Sequence, residues 1–217
     1  REGKTNSTYQ VAAVIAGKEL LCTEKVQVWK NDYLDIPLQK PEGGITPAGE
    51  EFFYSANDMS VADVDGDGEY EYIVKWDPSN SHDVSIKGYT GKCYLDCYKL
   101  DGCLLWRLDM GINIRAGAHY TQFMCYDFNG DGKAELAVKT APGTRMTIYR
   151  ENGDREERFI TIPEDDRNAG YSHKDNYVCS RKDYYNHLKS TFSQWQQQPQ
   201  VMKGQWPNTL EECFGIQ

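Results

Sequence analysis

The sequence predicts an all-β protein assembled from repeated strand units, with a helical segment carried near its C-terminus. Three observations carry this. Short apolar runs alternate with Gly, Asp and Asn turns from Phe52 to about Tyr149, the spacing of a sheet protein. Two loop-and-strand segments match each other, the first opening at Asp63 and the second at Asp127. Between Arg181 and Gln197, large apolar residues recur at three- and four-residue spacing, the mark of one helix face.

Composition sets the limits. The 217 residues suit one domain, or one domain with part of a second. Lys and Arg total 24 against 33 Asp and Glu, a formal charge of −9, which excludes a nucleic-acid binder relying on a basic face. Apolar stretches such as Val11–Ala16 and Leu20–Cys22 fall far below the roughly 20 residues of a spanning helix, so no membrane partner is expected. With 15 Tyr, 7 Phe and 5 Trp, the chain has enough apolar surface to fold. Seven cysteines stand at 22, 93, 97, 103, 125, 179 and 213 without a CxxC pair; they read as small buried hydrophobes, not as a zinc site. The opening Arg1-Glu2-Gly3 is neither an initiator Met nor an apolar leader, so the compartment is not read from this end.

Thr8–Ala16 and Glu19–Trp29 are β-leaning runs joined at Gly17-Lys18. A lone hairpin is marginal in water, so residues 1–30 are expected to be the end of a β-domain. Residues 31–51, punctuated by Pro37, Pro41, Gly43-Gly44, Pro47 and Gly49, read as a linker. Within 52–150 the strand candidates are Tyr70–Trp76, Lys92–Lys99, Leu104–Leu108, Thr121–Asp127 and Glu135–Thr140, with an Asp101-Gly102 turn between the second and third. Residues 151–217 read as a polar, helical insertion: Tyr184 or Tyr185, Leu188, Phe192 and Trp195 form a stripe, and Thr209-Leu-Glu-Glu212 is a capping box ahead of Gly215.

The repeat carries the chemistry. Asp63-Val-Asp65-Gly-Asp67-Gly-Glu69-Tyr-Glu71 recurs as Asp127-Phe-Asn129-Gly-Asp131-Gly-Lys133-Ala-Glu135, and each copy runs on into a strand-like segment ending in Lys75 or Lys139. Oxygens at alternate positions of a tight loop suit Ca²⁺, which takes six to eight of them. Glycine at the sixth position, Gly68 or Gly132, permits the sharp turn. Glu69 and Lys133 at the seventh would offer only a backbone carbonyl, and Glu71 and Glu135 close the loops. An EF-hand would place Glu at the twelfth position, where Val74 and Val138 stand, and would continue as a helix. The pattern is therefore that of short calcium loops entering β-strands, as in calcium-binding propeller blades. Two calcium ions are expected, with weaker binding at the second loop because Asn129 replaces a carboxylate.

Beyond the loops, Tyr54-Ser-Ala-Asn-Asp58, Val74-Lys-Trp-Asp-Pro-Ser-Asn80, Gly88-Tyr-Thr-Gly91, Tyr98-Lys-Leu-Asp-Gly102 and Asn113-Ile-Arg-Ala-Gly-Ala-His-Tyr-Thr-Gln-Phe123 resemble the rhamnogalacturonan lyases of polysaccharide lyase family 11. The resemblance implies a β-sandwich-like region followed by an eight-bladed, calcium-binding β-propeller that cleaves the rhamnogalacturonan backbone of pectin by β-elimination. It implies an acidic pectic polysaccharide as partner and a secreted or extracellular location. It also implies that this chain is a fragment whose partners include the remaining blades, and that by itself it is inactive. Asn57 and Asp58 match the motif holding an active-site calcium. Candidate bases are Arg115, His119, Lys75 and Lys139; imidazole is the side chain most often used for general-base work near neutral pH, which favours His119, and Arg115 is better suited to contacting an acidic group. Lys75 and Tyr120 are the substrate-binding candidates. Two other readings compete with this one. A non-catalytic calcium-binding propeller module would bind glycan or protein without cleavage. A dockerin-like module would need closer repeats followed by helices.

Overall fold

The structure, a computed structural model, describes residues 7–21, 23–83 and 85–215; Cys22 therefore lies outside the described residues. The chain divides into two compact units, Arg1–Pro37 and Leu38–Gln217.

The first unit holds two small antiparallel pairs: β1 (Thr8–Tyr9) with β4 (Val26–Gln27), and β2 (Ala12–Ile15) with β3 (Lys18–Leu21). The β2–β3 turn is Ala16-Gly17, not Gly17-Lys18. Both turn residues have positive φ, 50° and 76°, the backbone of a two-residue turn whose twist matches the flanking strands. Lys18 is thereby free to start β3.

The second unit begins with the hairpin β5 (Gly44–Ile45) and β6 (Glu51–Phe52). Its frame is β7 (Tyr54–Ala62), β8 (Glu71–Pro78), β9 (Tyr94–Tyr98) and β10 (Leu104–Asp109). The hairpin β11 (Phe123–Tyr126) and β12 (Glu135–Val138) follows, then β13 (Arg145–Tyr149) and β14 (Arg155–Phe159). Six strands form one antiparallel sheet in the order β14-β13-β10-β9-β8-β7, and β11-β12 pair only with each other. The strands thus do not separate into two four-stranded blades: β13 pairs with β10, through registers such as Arg107 with Thr147. Among the described residues the protein is mostly β with a few helices, and no sheet closes into a barrel. No described helix is long and apolar enough to cross a membrane.

Alternation along β8 builds two cores. Val74 and Trp76 join Tyr54, Tyr98 and Leu104 on one face, whereas Ile73 joins Ala62, Leu95, Cys97 and Leu108 on the other. In this unit β5, β6, β7, β13 and β14 lie outside the strand candidates read from the sequence, and two of them show why. In β7 the register shifts between Ala56 and Met59, a bulge that breaks the period at Asn57-Asp58. The charged β14, exposed throughout, completes the sheet edge, so residues 151–217 are not helical insertion alone. Cys93 and Cys97 are buried as expected, but Cys103, Cys179 and Cys213 are exposed; Cys103 follows the Asp101-Gly102 turn and precedes β10.

The C-terminal part carries α1 (Glu164–Asn168), α2 (Arg181–Thr191), a 3₁₀ turn at Trp195–Gln197, α3 (Pro199–Met202) and α4 (Leu210–Phe214). Helix α2 is capped by the Ser180 hydroxyl, which accepts from the Asp183 N–H at 3.0 Å. It stops at Thr191 instead of running to Gln197. The 3₁₀ turn then brings Trp195 to Val201 and Leu210, with Phe192 alongside. In α4 the Thr209 hydroxyl accepts from the Glu212 N–H at 3.2 Å, and Gly215 ends the helix at φ 61°, the left-handed position glycine favours.

Candidate functional site

The two repeated loops fold alike. Asp63 accepts from the N–H groups of Gly66 (2.6 Å) and Gly68 (2.9 Å), and Asp127 accepts from those of Gly130 and Gly132 at the same distances. Asp67 accepts from Glu69 N–H and Asp131 from Lys133 N–H. Each closing glutamate caps its own loop: Glu71 accepts from Val64 N–H and Glu135 from Phe128 N–H, both at 2.9 Å. Gly66 and Gly68 stand at φ 80° and 90°, and Gly130 and Gly132 at 78° and 90°, where other residues are strained. The loops are also neighbours. Ala134 N–H donates to the Asp63 carbonyl at 2.7 Å, and the Lys133 side chain lies against Gly66.

This architecture gathers carboxylate oxygens. Ligand atoms of Asp63, Asp65 and Glu71 lie within 4.8 Å of one another, as do those of Asp127, Asp131 and Glu135. An all-oxygen set on a glycine-shaped loop fits a hard divalent cation. The electrostatics of the loops differ. Lys99 ion-pairs with Asp65 at 2.7 Å and Asp67 at 3.0 Å, and these contacts hold its ammonium above the usual lysine range. Asp67 is held below the usual carboxylate range, chiefly by the Glu69 N–H. Burial pushes Glu71 above its ordinary 4.5, opposed by the Val64 N–H and reinforced by Asp65 and Asp67. Asp127 is lowered, first by the Gly132 N–H.

Around the first loop's strand, Asn57 and Asp58 lie exposed on the β7 bulge. Lys75 on β8 is 1% exposed and donates to Asp58 at 2.5 Å. It is therefore a buried ion-pair partner and does not present its ammonium to solvent. Its repeat counterpart Lys139, just beyond β12, is exposed.

The other candidates converge on a loop surface. Arg115 Nη1 donates to the Ile86 carbonyl at 2.5 Å, and Nη2 donates to the Tyr120 hydroxyl at 2.8 Å. His119 Nδ1 lies 2.6 Å from Asp83 Oδ2, so the carboxylate orients the ring while both groups stay accessible. Arg115 and Tyr120 line a cavity of about 180 Å³ together with Lys87, Asn113, Lys139 and Tyr177; His119 is not in its wall. Lys87 and Tyr177 carry no local motif of their own. Asn113 ties Tyr177 into place, accepting from its N–H at 2.8 Å and donating to the Pro142 and Asp175 carbonyls.

Residues 33–185 match the model of rhamnogalacturonan lyase family 11, C-terminal domain. The chain belongs to rhamnogalacturonan lyase family 11. Two Bacillus subtilis relatives are each 61% identical to it. The rhamnogalacturonan exolyase YesX matches over 144 residues, 66% of this chain and 24% of the relative; the rhamnogalacturonan endolyase YesW matches over 145 residues, 67% and 23%. The chain thus spans about a quarter of the length of these family members. Among solved structures, rhamnogalacturonan lyase YesW superposes with a TM-score of 0.62 at 59% identity, covering 70% of this chain and 26% of that one. Exotype rhamnogalacturonan lyase YesX gives 0.62 at 46% identity, with 79% and 33% covered.

Proposed function

We propose that this family 11 chain is part of a calcium-dependent rhamnogalacturonan lyase that cleaves the pectin backbone outside the cell by β-elimination, its strands contributing calcium-binding blades to a larger β-propeller. The single observation that carries the reading is the pair of acidic loops with matching hydrogen bonds within a stretch 61% identical to an exolyase and an endolyase. Asp63, Asp65, Asp67 and Glu71 would hold one ion, and Asp127, Asn129, Asp131 and Glu135 the other, with the Glu69 and Lys133 carbonyls completing each set. Asn57 and Asp58 are proposed to hold a cation near substrate. Calcium, when bound, supplies positive charge against an anionic polymer and favours the charge that develops as the uronate C5 proton leaves. Arg115 and Tyr120 would orient the sugar, and His119, steered by Asp83, is the proton acceptor this surface offers.

The test is a chimera in which the matching residues of the Bacillus subtilis endolyase YesW are replaced by those of this chain. It should generate ultraviolet-absorbing unsaturated uronate ends from rhamnogalacturonan and lose that activity in chelator. Release of saturated sugars would mean hydrolysis, and a folded but inactive chimera would favour a binding module; either would overturn the proposal.

Two smaller expectations concern the first loop. Carboxylate count alone makes the second loop the weaker site, but Lys99 occupies the carboxylates of the first. Lys99→Met is expected to tighten calcium at the first loop by up to about fivefold, the scale of an exposed ion pair, as read by calorimetry. Glu71 gives a pH signature. Its folded pKa is raised, so its stabilising contribution is full below the ordinary 4.5 and is lost as pH rises through the elevated value. Melting temperature without calcium should therefore fall over that window. Calcium, which favours the ionised carboxylate, should cancel the fall, and Glu71→Gln should flatten it.

A further inference from the structure

The Gly143 N–H donates to Nδ1 of His173 at 3.1 Å. Among the described residues it has no other acceptor, and Gly143 stands at φ 97°, a backbone that glycine favours. The imidazole lies flat on the Phe159 ring, with centres 4.5 Å apart and 18° between the planes, so packing as well as the hydrogen bond sets its orientation. A ring nitrogen that accepts carries no proton, which makes this a neutral imidazole with its N–H at Nε2. A second proton can go only to Nδ1, where it turns the acceptor into a donor facing a donor.

The bond fastens one end of residues 172–177 to the turn at 141–144. At the other end Asn113 joins the same two segments: its Nδ2 donates to the Pro142 and Asp175 carbonyls at 2.7 and 2.9 Å, and its Oδ1 accepts from Tyr177 N–H at 2.8 Å. Amides and carbonyls do not change charge with pH, so only the His173 end responds to it.

The charged and titratable groups around the ring are few. Arg167 of α1 and Tyr171 line a cavity of about 370 Å³ with it, and no Asp or Glu is in that wall. Asp166 of the same helix acts on the Tyr177 hydroxyl. On β14 Phe159 is preceded by the exposed Arg158, and across from it on β13 stands Arg145, which Glu157 engages at 2.8 Å. On its own segment Lys174 is exposed, and the Asp175 carboxylate is taken by Ser172 and the Tyr177 hydroxyl. The turn itself, Ala141-Pro-Gly-Thr144, carries no titratable side chain. Among the described residues the histidine held in an ion pair is His119, not His173.

We infer that His173 is a proton-sensitive latch: neutral, it holds residues 172–177 against the turn at Gly143, and protonated at Nδ1 it releases them. The Phe159 face attracts a cation, so the ring stays stacked and the change falls on the hydrogen bond. The freed Gly143 N–H must then turn to water. What loosens is the segment that brings Tyr177 into the wall of the cavity beside Arg115 and Tyr120. The latch is independent of the acidic loops and of the lyase reading.

The experiment is NMR of the isotopically labelled full chain from about pH 8 to pH 5, the interval in which imidazole ordinarily changes charge. At the alkaline end, the ring nitrogen shifts of His173 should place its proton on Nε2. As His173 titrates, hydrogen exchange at the Gly143 amide, corrected for its intrinsic pH dependence, should rise about tenfold, the scale of one neutral hydrogen bond. The Tyr177 amide, held by Asn113, should change less. His173→Asn puts a carbonyl oxygen where Nδ1 stood and should keep Gly143 protected throughout. His173→Phe keeps an aromatic stack without an acceptor and should leave Gly143 unprotected throughout. A proton on Nδ1 at the alkaline end, or a Gly143 amide that ignores the titration of His173, overturns the latch. So does a His173→Asn variant whose Gly143 amide responds to pH as the unsubstituted chain does. The nitrogen shifts and the Gly143 exchange need no substitution, so they decide the matter even where a variant fails to fold.

Discussion

Calcium at a hundredfold excess over its dissociation constant is expected to stabilise the chain by about 2.7 kcal/mol for each loop it fills. The origin is linkage: the folded loop presents its oxygens together, whereas the unfolded chain does not, so binding free energy becomes folding free energy. The loops are preorganised for this, because Asp63 is already fixed by two backbone N–H donors and Asp127 by three. Little ordering remains to be done when the ion arrives. In a chain of this size the effect corresponds to about 5–10 °C in melting temperature per site. Asp63→Ala should remove one increment and Asp127→Ala the other, and the double variant should melt identically with calcium and with chelator. A calcium-insensitive melt of the unsubstituted chain at millimolar calcium would refute the metal reading. A shift persisting in the double variant would relocate it.

Asp96→Ala is expected to cost about 3–5 kcal/mol, the range for removing one partner of a buried ion pair. Asp96 is fully buried on β9, which lies between β10 and β8 in the sheet. It accepts from Trp76 Nε1 at 2.8 Å, from the Tyr98 hydroxyl at 2.7 Å, and from Arg107 Nε and Nη2 at 2.7 and 2.6 Å. The alanine variant strands all of these donors at once and leaves the Arg107 charge partly buried. Arg107 Nη2 also donates to the Gln39 carbonyl at 2.6 Å, and Gln39 N–H donates to the Tyr98 hydroxyl at 3.0 Å. Loss of Asp96 should therefore also loosen the segment around Gln39, seen as faster amide exchange there. The double variant Asp96→Leu, Arg107→Met should recover much of the loss, since apolar replacement of both partners leaves no orphaned charge. Urea unfolding measures both; a cost below about 1 kcal/mol for Asp96→Ala would mean the network is not what holds the sheet together.

The acidic loops were legible because the hydrogen bonds that shape each turn are local. Asp63 meets Gly66 and Gly68, and Glu71 reaches back only to Val64, so spacing alone encodes the geometry. Strands β8, β9 and β10 were legible from their apolar runs and the Asp101-Gly102 turn, even though β10 carries a register shift between Leu104 and Trp106. β7 was not, because a bulge at Asn57-Asp58 shifts its period, and β14 was not, because an exposed edge strand carries no apolar signal. The turn at Ala16-Gly17 was misplaced by one residue because glycine marked the turn and the preceding alanine, also at positive φ, did not.

By itself, then, the sequence determined the β-rich class, the two matching acidic loops, and the family, each resting on contacts within a few residues or on motifs read directly. Tertiary structure alone decided the fate of groups whose neighbours are distant in the chain. Lys75 and Lys139 follow the same local pattern, yet β8 lies inside a six-stranded sheet and buries Lys75 against Asp58, whereas β12 ends a two-stranded hairpin and leaves Lys139 in the open. The cavity it enters draws Lys87, Arg115 and Tyr177 from three separate segments. No period or motif encodes that meeting, because a side chain's charge acts through the distance that folding sets, not through its place in the sequence.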